Sequence, residues 1–125
     1  MVFMRSRTEL LKEVISDPVP TAEILAELSS YSWDCETELV QLTQADILRV
    51  LESLTSGAVS AIQVCTWANR LEGRDDVGFE GGGEGVVNEA LFWLANPEIN
   101  YPIDNTLQQK IQNMFKVGLY EARKP

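Results

Sequence analysis

Two helix-start signatures stand close together in the middle of the chain, one on each side of Gly57, and they leave that region few alternatives. Thr43-Gln44-Ala45-Asp46 and Ser60-Ala61-Ile62-Gln63 each put a hydroxyl at the cap and an acid or amide three residues later. That pairing satisfies two of the free amide donors of a first helical turn reciprocally. Apolar residues then recur at helical spacing, as Ile47, Leu48, Val50, Leu51 and Leu54 after the first box, and as Ile62, Val64, Cys65, Ala68 and Leu71 after the second. Gly57 supplies a left-handed stop, and the short link predicts an αα-hairpin with these residues inward.

The flanking segments follow the same logic. Leu10, Leu11, Val14 and Ile15 lie on one face of a helix expected over residues 6–16, which the prolines of Asp17-Pro18-Val19-Pro20 end. Thr21 then caps a short helix with Ile24, Leu25 and Leu28 inward. Residues 29–38 lack periodicity and read as a loop whose Tyr31 and Trp33 lie over the core. Val87, Ala90, Leu91 and Leu94 mark a helix over residues 86–94 that Asn96-Pro97 closes, and Asp104 or Asn105 caps a last helix with a stripe of Leu107, Ile111, Met114, Phe115 and Leu119. No period-two alternation holds over five residues, so no strand is expected. The 125 residues leave room for one core. The expected fold is all-α, a single-domain irregular helical bundle of five or six helices spanning residues 1–125, with a Gly-rich acidic loop.

The chain contains no histidine, which removes Ser-His-Asp and Cys-His catalysis and His-ligated zinc. Cys35 and Cys65 are too few for a disulfide framework and read as buried, reduced thiols; Cys65 has no neighbouring base to activate it. No apolar run is long enough for a membrane span and no leader pattern follows Met1, so the expectation is a cytoplasmic protein.

Ten Lys and Arg stand against nineteen Asp and Glu, for a net charge of −9. The acids fall into blocks: residues 17–46 hold Asp17, Glu23, Glu27, Asp34, Glu36, Glu38 and Asp46 with no base, and residues 71–104 hold eight acids against Arg74 alone. Direct nucleic-acid binding through a basic face is therefore not expected, whereas an acidic face steers basic partners or simply keeps the protein soluble.

The candidate site is Glu72, Arg74, Asp75, Asp76, Phe79 and Glu80, in a stretch where six of the eight glycines fall between positions 73 and 85. Three readings compete there: loop salt bridges around Arg70 and Arg74, a partner-binding surface, and a magnesium site using Glu72, Asp75, Asp76 and Glu80. Gly81-Gly82-Gly83-Glu84-Gly85 lacks the Lys and Ser/Thr of a phosphate loop and carries the wrong charge. Trp67 and Trp93 sit among core residues, where packing is their expected role.

Glu72-x-x-Asp75 resembles half of the carboxylate set of the all-helical nucleoside triphosphate pyrophosphohydrolases. Glu9/Glu13, Glu23/Glu27 and Glu36/Glu38 do not have the spacing of the other half. The longer run W-A-N-x-x-E-x-R-D-D-x-G-F-E from Trp67 to Glu80, with Leu94-Ala95-Asn96-Pro97, Ser32-Trp33 and Leu39-Val40-x-Leu42-Thr43, resembles a group of small uncharacterised bacterial helical proteins over residues 32–100. In size, helicity and acidity the chain is more loosely similar to helical immunity proteins of bacterial toxin systems. The acidity and the missing histidine, together with that likeness, lead to the expectation of a non-enzymatic, acidic protein-binding module, immunity-like or regulatory, that engages a basic protein partner, as monomer or homodimer, without cofactor, metal or membrane. The alternative is a magnesium-dependent hydrolase of nucleotides or other phosphorylated small molecules.

Overall fold

The computed structural model describes residues 5–122, and within them every helix but α5, which follows Gly85 without a side-chain cap, begins where a side chain takes up a free amide donor. Helix α1 (Arg7–Ser16) starts at Ser6, whose hydroxyl accepts the Glu9 N–H at 3.1 Å. Helix α2 (Ala22–Ser29) starts at Thr21. Helices α3 (Gln44–Thr55) and α4 (Ala61–Leu71) carry complete capping boxes, with Thr43 and Ser60 returned by Asp46 and Gln63, each at 2.9 Å to the cap N–H. Gly57 between them sits at φ +83°, the left-handed geometry that other residues adopt at a cost. Helix α5 spans Val86–Ala95. Helix α6 (Asn105–Ala122) begins under the Asp104 carboxylate, which accepts the Leu107 N–H at 3.0 Å, and is broken at Gly118. The all-α bundle of six helices is thus present.

The expectation of no strand needs correction. Val40–Leu42 forms β1 and Val77–Phe79 forms β2, paired in parallel with Val40 opposite Val77, Gln41 opposite Gly78 and Leu42 opposite Phe79. Three residues are too few to display a period of two. The αα-hairpin is the crossover between them, as a parallel pair requires.

Trp67 lies at the centre, fully buried, with its indole N–H donated to the Ile15 carbonyl at 3.1 Å. Leu10, Leu11 and Val14 of α1, Leu42 of β1, Ile47 and Leu51 of α3, Leu91 and Leu94 of α5, and Leu107, Ile111 and Met114 of α6 complete the core. Trp93 is buried too, edge-on to Tyr101 with ring centroids 5.3 Å apart. Leu119 lies outside the described side chains.

Ile62, expected inward, is 78% exposed. The buried stripe of α4 runs through Val64, Trp67, Ala68 and Leu71, and a residue two before Val64 is turned about 200° away at 100° per residue. Cys35 and Cys65 are free thiols but half-buried rather than buried. Burial, and then the charge of Glu98, push the Cys65 thiol pKa up against a lowering hydrogen bond from Asn69. The thiolate is correspondingly disfavoured.

Candidate functional site

The six candidate residues do not share one surface. Arg74 and Asp76 are interior: Asp76 is 0% exposed, and Arg74 grips it through two parallel bonds, Nε to Oδ1 at 2.8 Å and Nη2 to Oδ2 at 2.9 Å. Reading Asp76 as an exposed loop acid or as a metal ligand is therefore corrected by its burial and its partners. Its second oxygen also accepts Arg7 Nε–H at 2.8 Å, so two guanidinium groups converge on one carboxylate. Burial pushes the Asp76 pKa up, but hydrogen bonds and charge from Arg74 and Arg7 outweigh it and hold the carboxyl below its ordinary value.

This triad, buried at Arg74 and Asp76 and half-buried at Arg7, positions the loop of residues 30–39. Arg7 Nη2 donates to the carbonyls of Ser32 at 2.6 Å and Asp34 at 3.0 Å, and its guanidinium lies over the Tyr31 ring. Arg74 lies 5.0 Å from the centroid of the Trp33 ring, while the Asp75 N–H donates to the Trp33 carbonyl at 3.0 Å. Trp33 is nevertheless 45% exposed, so it packs on the arginine rather than over the core as expected. Tyr31 does pack against the core.

The other candidates have separate tasks. Glu72 caps the end of α4, and both its oxygens accept from the Asn96 amide, at 3.3 and 3.2 Å. Because a carboxylate is unfavourable at a helix C-terminus, the amide of Asn96 offsets part of that cost. Glu80 accepts the Gln44 N–H at 2.9 Å, a free donor in the first turn of α3 and a favourable place for an anion. Phe79 packs partly buried against the core, and Asp75 is exposed. Among the described residues no three His, Cys, Asp or Glu side chains come together as metal ligands, so the four carboxylates of the hydrolase alternative are dispersed.

The strand pair joins the two acidic blocks of the sequence. Leu39 N–H donates to the Asp76 carbonyl at 2.8 Å, and the Glu38 carboxylate lies directly over Gly78, where an added Cβ would clash with its Oε1. Asp34, Glu36, Glu38 and Asp75 are all exposed in these two adjoining segments. Trp33 and Arg7 are the members of this face that the residue pattern did not single out. One signal was available for Arg7: a cation in the first turn of a helix opposes the helix dipole, which points to a tertiary partner that holds it there. Compared with known proteins, the chain matches no family model, no curated protein and no solved structure.

Proposed function

We propose that this protein is a non-enzymatic binding module, immunity-like or regulatory, whose acidic face engages a basic protein partner. The observation that carries the reading is Trp33, an exposed indole fixed from beneath by a buried arginine and adjoined by loop acids. Rigid exposed aromatics are the side chains that anchor protein interfaces, since they bury much area with few rotamers to lose. Acids around such an anchor raise the rate of encounter with a positive partner. Phe79, half-buried against the core, and Glu72 and Glu80, tied to the end of α5 and the start of α3, anchor the segment that carries Asp75.

The test is a titration with an arginine-rich peptide, followed by NMR at the Trp33 indole N–H. Shifts centred on Trp33 that weaken steeply with added salt and are reduced in Glu36→Lys/Asp75→Lys, together with a lower calorimetric affinity of Trp33→Ala for the same peptide, support the proposal. Binding that leaves the Trp33 resonance in place, or that the charge reversals do not weaken, overturns it.

A further inference from the structure

The two-stranded sheet is partly closed on one edge and open on the other. In a parallel ladder, alternate residues of each strand direct both backbone groups to the neighbour. The register, with Val40 N–H on the Asp76 carbonyl and Glu80 N–H on the Leu42 carbonyl, assigns Val40 and Leu42 to β2 and leaves Gln41 facing the opposite edge. On the far side of β2 two of the four equivalent groups are occupied within its own loops: Val77 N–H reaches the Arg74 carbonyl at 3.4 Å, and the Phe79 carbonyl accepts from Gly82 at 2.9 Å. Beside Gln41 no third strand lies among the described residues. Parallel sheets this small are unusual, because isolated pairs of strands are marginal and parallel sheets are normally covered.

The strand is flanked instead by a groove of about 500 Å³ between α1 and α3. Ile15 and Val40 supply apolar surface, Gln41 lies on the lining, and Lys12, Arg49 and Asp46 carry the charge. Arg49 is paired with Asp46 at 3.0 Å, whereas Lys12 makes no ion pair among the described residues. Two bases against one acid give this groove a net positive charge in a chain of −9. Its sign is opposite to that of the face around Trp33.

We infer that the open edge of β1 is a second binding site, which takes an extended acidic peptide segment of a partner protein as an added strand. The segment exchanges backbone hydrogen bonds with Gln41, places apolar side chains against Ile15 and Val40, and sets a carboxylate near Lys12. Strand addition of this kind draws affinity from main-chain bonds and specificity from alternate side chains. The charge of the groove selects an acidic occupant over a basic one.

The experiment uses the full chain and a capped peptide of about eight residues alternating valine and glutamate, long enough for one typical strand. NMR titration is expected to shift the Gln41 amide most strongly. Gln41→Pro removes an N–H that points away from β2, which an edge strand tolerates, and is expected to weaken binding about tenfold with an unchanged far-ultraviolet circular dichroism spectrum. Peptide N-methylated on the bonding edge is expected to bind as weakly to the unaltered protein, so the result does not depend on the variant folding. Lys12→Glu is expected to weaken the glutamate peptide and not a valine–lysine peptide. No binding at millimolar peptide, an N-methylated peptide that binds undiminished, or a valine–lysine peptide that binds equally well each overturns the inference.

Discussion

Arg7 and Asp76, separated by 69 positions in the chain, meet at 2.8 Å through one N–H of the guanidinium and one oxygen of a carboxylate that solvent does not reach. The contact ties the start of α1 to the approach to β2, and Arg74 completes it from two residues away. Removing one partner of such a buried pair leaves the others charged and uncompensated.

Asp76→Asn is therefore expected to lower stability at neutral pH by about 3–5 kcal/mol, read from urea unfolding. The folded carboxyl titrates below its unfolded counterpart, so its contribution is fully present above the unfolded pKa of about 3.9 and fades as pH falls through the lower folded value. The gap between wild type and Asp76→Asn should accordingly narrow as the pH drops below about 3.9. A variant that melts like wild type at pH 7 would mean that the three groups are not held as a unit.

The helix caps give a second, smaller expectation. Thr43→Ala and Ser60→Ala should each cost about 1 kcal/mol, since each opens a reciprocal pair of bonds. Gly57→Ala should cost about 1–2 kcal/mol, and for backbone reasons alone, because nothing lies within 4 Å of the added methyl while φ is +83°. Chemical denaturation of the three variants checks both figures.

Trp67→Phe removes an indole N–H that satisfies the Ile15 carbonyl inside the core. An unpaired buried acceptor costs about 1–3 kcal/mol, and the smaller ring adds a void. Ile62→Lys, by contrast, should change stability by less than about 0.5 kcal/mol, because Ile62 points to solvent. A thermal melt of Ile62→Lys that falls by many degrees would place that side chain in a contact.

What could be read from the residues was what is decided locally. The caps at Thr21, Thr43 and Ser60 and the stop at Gly57 depend on neighbours within one turn, and α2, α3 and α4 lie where they predict. Trp67 and Trp93 were identifiable as core because apolar residues surround them at helical spacing. The strands escaped notice since each is three residues long and exists only through its partner across the crossover. The burial of Asp76 escaped for the same reason: Asp75 and Asp76 are identical side by side, and only the distant Arg7 and the strand register separate an exposed carboxylate from an interior one. Ile62 was misassigned because its apolar character fits the helix while its angle does not.

The parallel pairing of β1 with β2 also sets an order of events. Both strands lie at the ends of the α3–α4 hairpin, so they cannot come together as a hairpin of their own, and closing that long segment is an entropic cost met only once the two helices have packed. The triad of Arg7, Arg74 and Asp76 is accordingly expected to close late, after the rate-limiting barrier. Weakening it is expected to leave the folding limb of a stopped-flow chevron nearly unchanged and to steepen the loss of the folded state, with Asp76→Asn unfolding faster rather than refolding more slowly. On that expectation the triad is a kinetic latch, one that sets how long the folded molecule persists.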